Sequence, residues 1–525
     1  MVRLSLHESG KVLAVLTARL VPDLFDEYNE VCLIHGIKRR GGVTVMPIGK
    51  ALTLSRALRH VGLKVEVDAD VKRAFYKTSG ITDDDLTRIQ NSPLFHYQKE
   101  DAIWMASRKK ALLASEMGTG KTALTLMALT TNPAVVIVCP SSIKAVWKNE
   151  IATWRPSLEV FICEGRGTFR WPKRNEAVII NYEILPKENE IDVPDNFTGT
   201  LIADECHYIK NPKSQRTKRF RKLAKEMLKT GKCWLLSGTP LMNQPFELWH
   251  VLYSAKLENM VFKLDTDVYS AYKNFLRLFK ARPATFGGFT FGTPDASVPR
   301  RLGRAAIRRT RKEVMPELPG KLYTTNIVSL DKKSQKVCDR FIEAAEEAGV
   351  DLDAAITEAS MGKESRTLFE EMSEARRILA TAKIPAMMSL AETFEEAGEP
   401  VVVFSAHLDP IKMLGEREGW CTITGSDKAD DREESVRLFQ AGELKGLACT
   451  IKAGGVGITL TRAHQVVFVD MDWTPANNLQ AEDRLCRIGQ TKGVVVTRLI
   501  ANHNLDKRLT WILTQKKKLI EAVYQ

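Results

Sequence analysis

The sequence predicts an α/β protein with two lobes, each a parallel sheet with flanking helices, behind a small N-terminal α+β domain. Three observations carry that prediction. From about Pro93 onward short apolar runs alternate with amphipathic helical stretches, the pattern of parallel strands with crossover helices. The alternation breaks near Lys256 and later resumes. Residues up to about Thr87 have a different texture, and 525 residues exceed what one hydrophobic core accommodates.

Taken in order, residues 1–87 form the small unit. VCLIHGIKRRGGVTVMPI reads as two strands joined by a Gly-Gly turn, ALTLSRALRHVG has helical apolar spacing, and LKVEVD alternates like a strand. In the first lobe, 92–255, the runs ALLAS, AVVIVCP, AVIINY, TLIADE and CWLLSG are buried strands. Residues 256–320 mix Phe, Arg and Gly with little period and read as a basic helical linker or insertion. The second lobe, 321–525, opens on an acidic, Ala-rich helical region around FIEAAEEAGVDLDAAITEAS. It continues through the strands PVVVFSA, GWCTITG, GLACTI, QVVFVD and VVVTRLI.

Composition narrows the class. With 44% hydrophobic and 27% charged residues the chain reads as globular, and no run is long and apolar enough to span a membrane. The N-terminus carries Glu8 and Lys11 and lacks a signal-peptide core, so an intracellular, cytoplasmic protein is expected. The nine cysteines are scattered without a CxxC pair, which points away from a disulfide framework or zinc site. A formal charge of +13 makes a polyanion a plausible partner. Two basic groups stand out, Lys210 to Lys229 and Arg300 to Lys312; each taken alone reads as a solvated helix face.

The chemistry-bearing stretches come next. ALLASEMGTGKTALTLMAL runs from a strand through the Gly118-Thr119-Gly120 turn into a helix. The glycines let backbone N–H groups approach a phosphate, Lys121 can neutralise the terminal phosphates, and the Thr122 hydroxyl can ligate magnesium. The helix dipole acts on the same anion. The strict pattern has glycine at position 115, where this chain has Ser115. GTLIADECHYIKN delivers Asp204 and Glu205 to the C-terminal edge of the sheet: Asp204 to hold magnesium through water, Glu205 to orient and deprotonate the attacking water. His207 is placed beside the γ-phosphate. In QAEDRLCRIGQ, Arg484 and Arg487 would share one face if the stretch is helical, and such a pair, if buried, would need an anion between them.

With WLLSGTP, these stretches resemble the SNF2 family of superfamily-two helicase-like ATPases over about Phe95 to Leu509. VIVCPSSIKAVWKNEIATW, VIINYEIL, ADECHYIKNPKSQRTKRF, SGTPLMNQPFELWHVL, IRRTRKEVMPELPGK, TITGSDKADDREESVRLFQ and TIKAGGVGITLTRAHQVVFVDMDWTP follow in family order. PSSIKAVW and Thr459 look most like the annealing-helicase branch. Cys206, Lys452 and Thr459 depart from the usual alanine, arginine and asparagine.

The resemblance implies two RecA-like lobes that use ATP and Mg2+. It makes Gln98, in FHYQ, the adenine-reading residue and Arg484 and Arg487 arginine fingers that reach the γ-phosphate when the lobes close. It assigns coupling to His207, Ser237, Thr239 and Gln480. It places phosphate contacts at Ser141, Ser142, Lys144, Lys210 and Asn211 in the first lobe, and at Thr424, Lys452, Gly454 and Gly455 in the second. Trp473 reads equally as a groove residue or a core tryptophan. The implied activity is ATP-driven translocation on double-stranded or forked DNA, remodelling or re-annealing it in replication, repair or recombination. Two alternatives are the motor of a restriction system and an ATP-switched DNA clamp. A monomer of prokaryotic or viral origin, working with replication or repair proteins, is expected. The N-terminal unit resembles the small domain that precedes the motor in annealing helicases, without the tryptophan often found on its second strand. Lys38, Arg39 and Arg40 there could grip a backbone.

Overall fold

The computed structural model describes residues 1–16, 22–40, 43–241, 243–264, 268–283, 288–347, 352–353, 356, 366–455, 457–487 and 489–524. The N-terminal unit is a five-stranded sheet with helices packed on it. Its strands are β1 (Val2–Leu6), β2 (Val12–Leu16), β3 (Lys38–Arg40), β4 (Val43–Met46) and β5 (Val65–Val67), in the order β3-β4-β2-β1-β5. The helices Pro22–Ile34 and Ile48–His60 bury Tyr28, Val31, Leu54 and Leu58 against Val2, Leu4, Val12 and Ala14. Helix, strand, strand, helix, strand appear in the expected order. The apolar runs named above do not include β1 and β2, and the Gly41-Gly42 turn lies outside the described residues.

The first lobe carries β6 (Lys110–Leu113), β7 (Ala134–Cys139), β8 (Glu159–Ile162), β9 (Glu176–Asn181), β10 (Thr200–Ala203) and β11 (Lys232–Leu236). A hairpin, β12 (Arg282–Pro283) with β13 (Phe289–Thr290), and β14 (Ala306–Ile307) follow. The main sheet is parallel in the order β14-β6-β11-β10-β7-β9-β8. Successive residues point to opposite faces and both faces are covered, which is why these strands read as unbroken apolar runs. Val136, Val138, Leu201 and Leu235 enter one core; Val135, Ile137, Ile202 and Leu236 enter the other.

The second lobe repeats the plan with β15 (Lys321–Val328), β16 (Val401–Ser405), β17 (Trp420–Ile423), β18 (Gly446–Thr450), β19 (Gln465–Phe468) and β20 (Val494–Ala501). They form a parallel sheet in the order β15-β20-β19-β16-β18-β17.

The stretch expected to be a linker behaves differently. Leu257, Val261, Phe262, Phe275, Phe279, Val298 and Leu302 are buried in the first-lobe core, and β14 extends that lobe's sheet beside β6. These buried residues are interleaved with Arg and Gly, so no period shows in sequence. What directly connects the lobes is the shorter segment between β14 and β15. The lobes are also bridged at the C-terminus. Helix Asn504–Tyr524 begins with Leu505 and Leu509 in a second-lobe core and ends with Val523 in the first-lobe core. All nine cysteines are free thiols and eight are buried. Among the described residues no helix is long and apolar enough to cross a membrane.

Candidate active site at the lobe interface

The phosphate-binding loop leaves β6 and enters helix Lys121–Ala128. Gly118 and Gly120 have φ of +79° and +77°, the left-handed region that side chains avoid. At Gly120 a Cβ would also stand 2.2 Å from Gln98 Nε2. Gln98 is buried against the loop, accepting from Phe95 N (2.9 Å) and donating to Thr119 O (3.1 Å). Thr119 is fully buried and its hydroxyl donates to Glu116 O at 2.8 Å; Thr122 is half-buried on the helix's first turn. Lys121 Nζ donates to the Ser115 and Glu116 carbonyls at 2.9 and 3.0 Å. Burial lowers its pKa while Glu205 and Asp204 oppose the shift. Ser115 has a use that glycine could not supply: its hydroxyl accepts from Arg309 N at 3.1 Å, tying the loop to the inter-lobe segment.

Asp204 and Glu205 leave the C-terminal end of β10, with Glu205 at φ +48°. A non-glycine residue held there is characteristic of functional turns. Trp147 Nε1 donates to Asp204 Oδ2 at 2.8 Å, and Glu205 N to Oδ1 at 2.8 Å. Burial and the neighbouring Glu205 charge raise the Asp204 pKa. Burial also acts to raise Glu205, but His207, Lys121 and Arg484 outweigh it and hold the Glu205 carboxylate ionised. His207 Nδ1 lies 3.2 Å from Glu205 Oε2. The Ser237 hydroxyl is 3.4 Å from both Glu205 Oε2 and His207 Nδ1, and it accepts from Thr239 N at 3.1 Å. Thr239 Oγ1 in turn accepts from Gln480 Nε2 of the second lobe at 2.9 Å. The four residues expected to couple the lobes therefore form one chain of polar contacts with Glu205.

The second lobe brings its arginines to the same place, though not on a helix as the sequence spacing suggests. Helix Pro475–Glu482 ends first, and both arginines lie on the turn after it. Arg484 is 5% exposed and donates to Gly455 O and, at 3.4 Å, to Ile458 O. Its Nε is buried without a partner among the described residues. Burial first, and Arg487 second, push its pKa down to about 9. Arg487 donates to Asp483 O (3.2 Å) and to Thr459 Oγ1 (3.1 Å), so the Thr459 departure is in use. Burial lowers its pKa too, and both arginines help depress that of Lys121. Lys121, Arg484 and Arg487 converge here, and Arg484 Nε has no partner among the described residues, so the site has hydrogen-bond donors to offer an anion. A nucleotide's phosphates suit those donors, and Asp204 with Thr122 offers the hard oxygens that Mg2+ prefers.

The expected DNA-contacting residues are spread over both lobes. Ser141 and Ser142 are exposed on the short turn Ser141–Ile143, and Lys144 begins helix Lys144–Trp154 with Nζ bonded to Cys163 O at 2.6 Å. A Cβ on Gly457 of the second lobe would lie 3.6 Å from Ile143 Cγ2, so this turn abuts the other lobe. Lys452 is exposed and Asn211 is exposed, whereas Lys210 is paired with Glu247 at 2.8 Å. The Thr424 hydroxyl is engaged by Asp427 at 2.8 Å. Packing demands the Gly454-Gly455 pair: added Cβ atoms would meet Phe404 and Cys449 at 2.7 Å and Ile451 O at 2.8 Å. Trp473 is partly buried beside a second-lobe core, with Arg376 4.2 Å from its ring centroid.

The basic groups also resolve. In the first, Arg216, Arg219, Arg221 and Lys222 are bonded to neighbouring residues of the fold. The second is not a solvated face. Arg300 pairs with Glu27 and Glu30 of the N-terminal unit, Arg309 with Asp101 (3.0 Å), and Arg311 with Asp483 (2.7 Å). Trp147, Arg309 and Arg311 are site residues that sequence reasoning misses. Their place in family-like motifs is the one signal available, because their partners are distant in the chain.

Residues 97–384 match the SNF2-related domain and residues 382–489 the helicase conserved C-terminal domain. The chain is 30% identical over 459 residues to the SWI/SNF-related matrix-associated actin-dependent regulator of chromatin subfamily A-like protein 1 of Xenopus laevis, covering 83% of this chain and 45% of that protein. It is 26% identical over 481 residues to an uncharacterized ATP-dependent helicase of Mycoplasma pneumoniae, covering 86% and 44%. It is 28% identical over 448 residues to the human DNA annealing helicase and endonuclease ZRANB3, covering 81% and 40%. The chain thus spans less than half the length of each of these relatives.

Proposed function

Because the chain belongs to the SNF2-related family and carries the helicase C-terminal domain, we propose that this helicase-like ATPase is an ATP-driven translocase on double-stranded DNA. Its proposed work is to re-anneal or remodel forked intermediates of replication, repair or recombination. The observation that carries the reading is the continuous contact from Glu205 through Ser237 and Thr239 to Gln480, which makes the hydrolytic centre sensitive to where the second lobe sits. That one relative is named a DNA annealing helicase supports the re-annealing assignment.

In this reading the loop Gly118–Gly120 and Lys121 bind the phosphates of ATP, with Gln98 at the loop's edge to meet the base. Thr122 and Asp204 would hold Mg2+, which neutralises phosphate charge when bound. Trp147 fixes the Asp204 carboxylate. Glu205, kept ionised by its cationic neighbours, accepts the proton of the attacking water. Arg484 and Arg487 stabilise charge developing on the transferred phosphoryl group, and only when the lobes are apposed. Such a contribution is worth roughly 10³–10⁵ in rate in related phosphoryl transfer. Ser141, Ser142 and Lys144 on one lobe, with Lys452 on the other, hold backbone phosphates without reading bases. Relative motion of the lobes then moves the duplex. The N-terminal unit, docked on the first lobe, selects forked substrates.

The test is the ATPase rate measured side by side with no DNA, single-stranded, duplex and forked DNA. Stimulation greatest with duplex or forked DNA, and indifferent to base sequence, is expected. Equal rates with and without DNA would refute the proposal.

A further inference from the structure

The turn that carries Arg484 and Arg487 is held by residues the catalytic reading does not use. Two cations three residues apart on one turn repel each other, so a turn presenting both needs fixed negative charge. Asp483 supplies it, 8% exposed and beside them in the chain. Burial alone would raise its pKa, but Lys321 and Arg311 hold the carboxylate well below its usual range. Lys321 Nζ donates to Asp483 Oδ1 at 2.7 Å, and Arg311 Nη2 to the same oxygen at 2.7 Å. Arg311 Nη1 also donates to Cys486 O at 2.9 Å. One guanidinium therefore spans the turn, gripping it on both sides of Arg484.

The same residue reaches the other half of the site. Arg311 N donates to Glu116 Oε2 at 2.9 Å. Glu116 belongs to the phosphate-binding loop, where its carbonyl accepts from Lys121 Nζ at 3.0 Å. Arg311 lies on the segment between β14 and β15, the direct connection of the lobes. Its main chain is thus fastened to the loop that would bind the phosphates and its side chain to the turn that would complete hydrolysis.

We propose that Arg311 is a positioning residue for the arginine pair, registering the turn 483–487 against the phosphate-binding loop from the pivot between the lobes. This rests on the arginine-finger reading above. A displacement of about 1 Å at such a group can cost on the order of 10²-fold in rate. Arg311→Ala should lower kcat on saturating duplex DNA by about that factor. The KM for ATP should stay within about threefold, because phosphate binding itself is left intact. Arg311→Lys keeps the charge opposite Asp483 but loses the fork that reaches Cys486 O, so it should recover roughly tenfold of the loss. Asp483→Asn, of unchanged size, should behave like Arg311→Ala and guards against a variant that fails to fold.

The deciding experiment is the cycle of Arg311→Ala, Arg487→Ala and the double variant, by steady-state hydrolysis with thermal unfolding alongside. If Arg311 acts through the arginines, the double variant loses less than the product of the two single losses. If Arg487→Ala turns over like the parent, the arginine-finger reading falls and the inference with it. If Arg487→Ala is impaired while Arg311→Ala keeps the parent's kcat, only the positioning role is overturned. A double variant that loses both factors in full would overturn that role as well.

Discussion

Gln480 Nε2 donates a 2.9 Å hydrogen bond to Thr239 Oγ1, joining a helix of the second lobe to the strand-end loop that holds Ser237 against Glu205. In the proposed function, the position of the lobe is thereby converted into the position of the Glu205 carboxylate. A neutral hydrogen bond of this kind contributes about 0.5–1.5 kcal/mol net, a factor of roughly 2–13. Gln480→Ala should lower the DNA-stimulated ATPase rate by about that factor, with nucleotide affinity and the DNA-free rate little changed. Titration of a fluorescent ATP analogue beside steady-state rates checks both halves. An equal fall in the DNA-free rate would count against a coupling role.

Trp147→Phe keeps most of the buried volume and deletes the N–H that holds Asp204 Oδ2. Partners that orient a metal-ligating side chain typically carry 10–100-fold in metal affinity or activity. The Mg2+ concentration for half-maximal hydrolysis should rise by about tenfold or more, with the folded state retained. An unchanged Mg2+ titration would remove Trp147 from the site.

His35 gives the N-terminal unit a pH dependence. It is 6% exposed, and burial, followed by Arg304, Arg108 and Lys50, pushes its pKa down to about 3. A base whose folded pKa is depressed binds fewer protons folded than unfolded. Its stabilising effect is complete above about pH 6.5 and is lost as pH falls toward 3, at about 1.4 kcal/mol per pH unit. Denaturant unfolding at pH 7 and pH 5 should therefore show the parent losing stability that a His35→Asn variant does not. Parallel losses in the two proteins would contradict the assignment.

The N-terminal unit also touches the first lobe through Arg300 with Glu27 and Glu30, and through Arg56, 3.9 Å from Asp101. Arg56 and Arg108 both lie over the Trp104 ring, at 5.8 and 4.9 Å. Asp101 keeps its partner Arg309 when Arg56 is absent. A chain beginning near Gly80, which keeps Ile81 and Ile89 in the first-lobe core, should accordingly retain duplex-stimulated ATPase while losing re-annealing of a partly melted plasmid or regression of a fork. Loss of both together would mean the unit only supports the first lobe.

What can be read from the sequence follows from local physics. The ten strands named from apolar runs all appear, because a parallel strand covered on both faces cannot hide its composition. Gly118 and Gly120 are legible because a positive φ admits few other residues. What stays hidden depends on distant partners. Phe262, Phe275 and Phe279 are buried among arginines and glycines that obscure any period. Arg309 and Arg311 resemble solvent-exposed charge until Asp101 and Asp483 stand opposite them. The spacing of the arginine pair suits a helix, yet the helix ends at Glu482.

The most direct test of translocation is displacement of a third strand from duplex DNA. A triplex-forming oligonucleotide is placed at one end of a duplex, and its ATP-dependent release is followed with the parent and with Arg487→Ala. Translocation predicts release by the parent that needs hydrolysable ATP, takes longer as the intervening duplex is lengthened, and is absent with Arg487→Ala. Duplex-stimulated hydrolysis by the parent without any strand release would contradict it and leave an ATP-switched clamp.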